Sequence, residues 1–256
     1  MRHIFIFTIA LFIFGSSYSN AQDDIRETLL KAKTTIHEAY LTQNPVLLDE
    51  TISMLNELVI EESDSLQKFI HYYRGLAYFR MFPLPMTEDS DLFSDNLDKA
   101  QKELEKALEI DPDFDEVYSV LGGVYGMKAA GMFSGMKYGG KAKRAMEKAR
   151  QLSPQNPRTY LIDGIGDYYK PKLFGGGLDN ALEAFTKAAE LFENEGNSNS
   201  LNPEWGKAET HAWLAQVYLD LGEKEKALIH SQKAAELQPD FIWVKANLLP
   251  EIQNKL

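Results

Sequence analysis

The stretch nearest to a reactive motif is Gly135 to Ala142, GMKYGGKA. It differs at one position from the phosphate-loop pattern G-x-x-x-x-G-K-[ST], in which backbone amides cradle phosphates and the last hydroxyl holds magnesium. Alanine replaces that hydroxyl, and no strand precedes the stretch, so a nucleotide site is not expected. Gly175-Gly176-Gly177 has no dinucleotide context and reads as a flexible entry to a helix at Asp179. His37, His71, His211 and His230 are scattered, with no H-E-x-x-H and no ligand spacing. The acidic run Glu88, Asp89, Asp91, Asp95 and Asp98 lacks the central glycine of a calcium loop. With no cysteine in the chain there is no thiol nucleophile, and no serine sits in an elbow motif. These residues call for no catalysis, no cofactor and no metal.

The function must therefore be sought in surfaces, and composition limits which. Among 256 residues, 27 Lys and Arg face 38 Asp and Glu, for a net charge of −11. Binding a phosphate backbone needs a basic stripe, so nucleic acid is not the expected partner. Lys137 to Arg150 is a local basic exception. Residues 1–21 differ in kind. Arg2 and His3 precede an apolar run from Ile4 to Phe14, followed by small polar residues and Ser19-Asn20-Ala21. That is the order of a secretory signal peptide, with cleavage expected before Gln22 and an uncleaved anchor as the alternative. The run is too short to span a bilayer, which takes roughly 20 residues. An exported chain without disulfides must be held by core packing, which suits a periplasmic or secreted bacterial protein.

From Asp24 onward the apolar residues recur at three and four. Ile25, Leu29, Ala32, Ile36, Ala39 and Tyr40 mark one helix, and Asn44-Pro45 is a cap and first turn for the next, with Leu48, Ile52, Leu55 and Val59 inward. The pattern then settles into units. His211 to Pro239 is the clearest: His211, Leu214, Ala215 and Tyr218, then Ala227, Ser231 and Ala234, with Gly222 between and Pro239 closing. Small residues let two antiparallel helices approach, large ones fill the space around them, and glycine takes the left-handed turn. Gly75, Tyr78, Ala100, Leu104, Ala107 and Pro112 repeat the scheme. So do Tyr118, Gly122, Tyr125, Ala142, Met146, Ala149 and Pro154, and then Tyr160, Gly164, Ala181, Phe185 and Ala188. Asp163 and Asp167 stand where that fourth unit should be apolar.

These units resemble the tetratricopeptide repeat (TPR), a helix–turn–helix of about 34 residues. The resemblance implies an all-α, right-handed superhelical TPR solenoid of about five helix pairs plus a C-terminal capping helix. Residues 22–62 would be a degenerate N-terminal pair acting as a cap and 63–239 the array. Residues 240–256 would form the capping helix, ending near Pro250. N-P-R at 156–158, F-G-G-G at 174–177 and P-x-W-G at 203–206 also resemble a recurring group of exported bacterial TPR proteins, which brings no activity with it.

TPR proteins line their concave surface with the first helix of each pair. Position by position this assigns Phe69, Tyr72, Leu76 and Phe79, then Arg158, Leu161, Tyr168 and Tyr169, with Trp213 adjacent, to a ligand-binding groove. Gly122, Gly123 and Gly126 imply close helix contact or open space at its middle. The carboxylate clamp of chaperone-tail-binding TPRs is missing, so an apolar peptide or extended ligand is expected. Three consecutive units also lengthen their internal turn with apolar residues: Phe82 in the first, Met132, Phe133 and Met136 in the second, Leu173 and Phe174 in the third. Equivalent turns lie along one edge. These loops either fold back and seal that edge or offer a partner-docking rim. The expectation is a non-enzymatic scaffold binding a protein or peptide in the cell envelope. The rival is a periplasmic ligand-handling component, which a continuous cavity lined by Tyr72, Tyr168 and Trp213 would favour and a filled groove would count against.

Overall fold

The computed structural model describes residues 4–58, 65–81, 90–130, 132–196 and 200–255, with side chains from Gln22 onward except at 90, 91 and 132. It is a right-handed superhelical solenoid, and no strand occurs among the described residues. The chain runs α1 (Ile4–Leu41), α2 (Pro45–Asn56), α3 (Gln67–Arg80), α4 (Ser90–Ile110), α5 (Asp115–Lys128), α6 (Met132–Leu152) and α7 (Pro157–Tyr169). A 3₁₀ turn (Lys172–Phe174) leads into α8 (Leu178–Glu193), α9 (Lys207–Asp220) and α10 (Lys224–Leu237), and a π-helical stretch (Trp243–Leu248) continues as α11 (Leu249–Lys255).

Local chemistry sets these boundaries. Asn44 and Asn156 accept from Val46 N and Arg158 N, and the proline following each asparagine supplies a first helical residue whose missing N–H costs nothing there. Gly222 ends α9 at φ +80°, and Glu223 N reaches back to Tyr218 O at 2.8 Å. Each antiparallel pair closes on its small residues. A Cβ on Gly75 would lie 2.6 Å from Leu104 Cγ, and one on Gly164 the same distance from the Phe185 ring. Ala100, Ala181 and Ala227 are fully buried in the facing helices. Of the central glycines, Gly122 would meet Met146 and Gly123 would meet Phe79 and Ile162, whereas Gly126 faces open space.

Two local expectations need correction. Met132, Phe133 and Met136 do not form a loop: α6 starts at Met132, so the inserted residues add turns to the helix, and GMKYGGKA is helical throughout. Nor does Pro250 end the last helix, which continues to Lys255. The π turn shifts the register so that Leu249 N bonds Val244 O, five residues back. That wider turn gives the proline ring room where an α-helix would clash.

The solenoid curls until its two ends meet. Leu41 at the end of α1 shares a small core with Ala212, Ala215, Phe241 and Ile252. The Tyr40 and Phe241 rings lie 6.2 Å apart. Arg80, on α3, donates to both carboxylate oxygens of Glu209 on α9 (2.8 and 2.9 Å), and both residues are buried.

Candidate functional site

Where the ends meet, a cavity of about 310 Å³ opens between the close of α1, the end of α7, α9 and the π-helical stretch. Its wall is a chain of rings, each touching the next. Tyr169 and Tyr168 stand edge to face at 5.0 Å, Tyr168 meets Trp213 at 5.3 Å, and Trp213 meets Trp243 at 4.9 Å. Phe241 follows at 6.0 Å and then Tyr40. Gln43 and Gln216 complete the lining, and none of these residues is charged. Phe185 stacks on Trp213 from behind at 5.8 Å, fixing the central ring.

The polar groups that steer this wall lie beside or behind it. Asp220 accepts from Tyr168 Oη (2.7 Å) and Gln216 Nε2 (3.1 Å), orienting both. Burial, reinforced by Asp220, pushes the Tyr168 phenol well above its usual range, so it stays a neutral donor. The Arg80 guanidinium sits between the Tyr40 and Trp205 rings, 4.1 and 4.3 Å from their centroids. Trp213 Nε1–H is buried with no acceptor among the described residues.

Two backbone irregularities fall at the same place. Gln43 has φ +51°, the sole left-handed non-glycine among the described residues. It occupies the position after α1 where glycine is usual, and Asn44 N closes the motif on Ala39 O at 2.8 Å. A side chain held there costs about 1–2 kcal/mol over glycine, and its amide borders the cavity. The π turn, rare and frequent at functional sites, begins at Trp243. Ring wall, strained rim and widened turn converge on one cavity.

A larger hollow of about 540 Å³ lies near Asp111, Glu116 and Glu195. Its acids pair with groups of the chain itself, with Glu116 Oε2 alone among their buried oxygens left without a hydrogen bond from the described residues. Asp111 accepts from Lys68 (2.6 Å), Asp115 from Asn156 (2.9 Å), and Glu116 and Glu195 both pair with Arg158. That leaves the aromatic cavity as the better candidate.

A tetratricopeptide-repeat profile matches residues 92–114 and 208–241. Both stretches carry the tetratricopeptide repeat, and the chain has the TPR solenoid fold. Two solved structures share the fold. One is TTC0263, a thermophilic TPR protein of Thermus thermophilus, at 17% identity over 87% of this chain and 98% of that one, with a TM-score of 0.56. The other is the HusA haemophore of Porphyromonas gingivalis, at 21% identity over 76% and 92%, with a TM-score of 0.59. No curated protein sequence matches the chain.

In this TPR solenoid part of the concave groove is occupied by the protein's own residues. The segment from Leu201 to Gly206 crosses it and is tied down on three sides. Tyr73 Oη donates to Leu201 O (2.6 Å), Trp205 Nε1 donates to Tyr72 Oη (3.1 Å), and Arg158 Nη1 donates to Trp205 O (3.0 Å). From α1, Lys33 reaches Ser200 O and Glu204. Of the groove residues assigned from the repeat pattern, Tyr72, Leu76, Phe79, Arg158 and Leu161 are buried, and Phe69, edge-on to Phe114 at 5.4 Å, lines the larger hollow together with Arg158. Tyr168, Tyr169 and Trp213 are brought together in the cavity. Tyr72 is not among its lining residues, so the cavity does not run continuously through Tyr72, Tyr168 and Trp213.

The pattern missed Tyr40, Gln43, Phe241 and Trp243 as neighbours of that trio. Tyr40 reads as one more apolar position of the first helix, and nothing in the sequence pairs it with the C-terminus. On the looped edge, Phe133, Met136, Leu173 and Phe174 are exposed by 87, 86, 87 and 71%. They do not seal it. Phe82 and the Met132 side chain lie outside the described residues.

Proposed function

We propose that the chain is a non-catalytic binding protein of the cell envelope. Its recognition element is the aromatic cavity, filled by an apolar or aromatic side chain of a protein or peptide partner. One observation carries this reading: an uncharged cavity walled by six rings stays open beside a groove that the chain partly fills with its own segment. TPR folds serve as scaffolds for polypeptide partners, and a cavity of about 310 Å³ suits one ring or one large side chain. The envelope location rests on the charged, apolar and small-residue order of residues 1–21 and on the lack of cysteine. The test is affinity capture from an envelope extract with the wild-type chain and a Tyr169→Ala/Trp243→Ala variant side by side. A polypeptide retained by the first and lost by the second is expected; equal recovery would contradict the reading.

A second reading places a planar apolar small molecule in the same cavity. The predominantly aromatic, uncharged wall favours it, as does the presence of a haemophore among proteins of this fold. Haem is therefore the first small ligand to titrate. A saturable absorbance change that disappears in Trp243→Ala would select this reading over a peptide.

A further inference from the structure

The four most exposed large apolar side chains among the described residues occupy two neighbouring places. Phe133 and Met136 lie on the first turns of α6, and Leu173 and Phe174 on the 3₁₀ turn before α8. These are equivalent tips of consecutive antiparallel pairs, whose first helices, α5 and α7, pack side by side. Such repetition puts both tips on one edge of the solenoid. The exposure is built in. Between Lys170 and Gly177 the turn is bonded to itself, with Phe174 N on Pro171 O (2.9 Å) and Gly177 N on Asp167 O (2.7 Å). Gly176 is packed so closely that a Cβ would lie 1.9 Å from Lys170 O. Leu173 and Phe174 are thus held outward on a fixed support.

Along the chain, the charge flanking these two tips runs against that of the molecule, although the turn of the first unit carries Glu88, Asp89 and Asp91. The chain carries −11, yet no carboxylate occurs between Glu116 and Glu147 or between Asp167 and Asp179. Lys137, Lys141 and Arg144 follow the first pair of apolar residues, and Lys172 precedes the second. None of these four has a carboxylate partner among the described residues, whereas Lys128 and Lys170 are taken by Asp98 and Asp167. We infer that this edge docks on an anionic lipid surface, with the four apolar side chains entering the boundary between headgroups and acyl chains and the flanking cations meeting lipid phosphates. The shape favours lipid over protein. Protein hot spots are commonly desolvated in fitted pockets, whereas side chains on convex tips ringed by cations match the basic, amphipathic pattern of interfacial binding.

The cysteine-free chain makes the test direct. Single cysteines are placed by Leu173→Cys, Phe133→Cys and, as control, Ile229→Cys, which is 62% exposed on α10. Each full-length protein is labelled with the polarity-sensitive dye NBD and mixed with phosphatidylcholine vesicles, with or without about one third phosphatidylglycerol. Labels at 133 and 173 are expected to shift to the blue on the anionic vesicles alone while the label at 229 stays unchanged. Because the readout is local, binding through the apolar segment Ile4 to Phe14 would not reproduce that contrast. Replacing Lys137, Lys141 and Lys172 by glutamine in the Leu173→Cys protein should weaken the response on the order of a hundredfold. No shift at 133 and 173, or an equal shift at 229 or on neutral vesicles, would overturn the inference and leave the edge to a protein partner.

Discussion

At the scale of single residues, Gln43 offers the clearest separation of stability from binding. Its left-handed backbone is unfavourable for any residue with a Cβ, so Gln43→Gly should stabilise the fold by about 1 kcal/mol in urea melts. It should also weaken whatever the cavity binds by removing the rim amide. Tyr169 makes the complementary case. It is 70% exposed, so Tyr169→Ala should leave the melting temperature nearly unchanged while costing about 1 kcal/mol of ligand affinity, several-fold in Kd. Arg80 and Glu209 are a different kind of pair, fully enclosed, with the guanidinium stacked between Tyr40 and Trp205. Arg80→Ala strands a buried carboxylate and should cost about 3–5 kcal/mol. Replacing both, Arg80→Met with Glu209→Leu, should recover most of that loss by the same melts, because the penalty comes from the unpaired charge.

At the scale of helices, the glycines sort by what faces them. Gly126 has no atom within 4 Å of its would-be Cβ, so Gly126→Ala should stabilise α5 by up to about 1 kcal/mol. Gly164 sits against the Phe185 ring, and Gly164→Ala should destabilise by about 1–3 kcal/mol, read from the same denaturation curves. The helix pairs were legible in sequence because such contacts are local. The spacing of Gly75 to Tyr78, or of Ala215 to Tyr218, fixes which faces meet within one hairpin. Pro250 misled because a proline is normally a stop, and only the π turn at Trp243 makes room for it. The turns of α6 misled because an apolar insertion carries no mark distinguishing an extended helix from a loop. The cavity was legible only in part. Tyr168, Tyr169 and Trp213 lie on neighbouring repeats, but Tyr40 and Phe241 join them through the total rotation of every pair between, which no single repeat encodes.

At the scale of the molecule, closure of the solenoid brings titratable groups of both ends into the interior. Burial, followed by the charge of Arg80, pushes His37 down to about 4 from 6.5. His37 Nε2 lies 3.4 Å from Gln238 Nε2 across the closure. In the last repeat, burial and the neighbouring His230 push His211 down to about 4. The unfolded chain takes up these protons near pH 6.5 and the folded chain resists them until about pH 4. Stability should therefore be full above 6.5 and fall as pH drops through that window. Melting temperature measured against pH should show this fall, and His37→Gln should flatten it.

Recognition by the aromatic cavity rather than by the groove segment can be read directly, because the three tryptophans report on the two places separately. Trp213 and Trp243 line the cavity, and Trp205 lies in the groove segment. The most direct measurement is ¹⁹F NMR of the 5-fluorotryptophan protein titrated with indole as the smallest planar apolar probe. Saturable shifts of the Trp213 and Trp243 resonances are expected, with Trp205 unmoved. A shift confined to Trp205, or no saturable shift at either cavity tryptophan, would contradict recognition by the cavity.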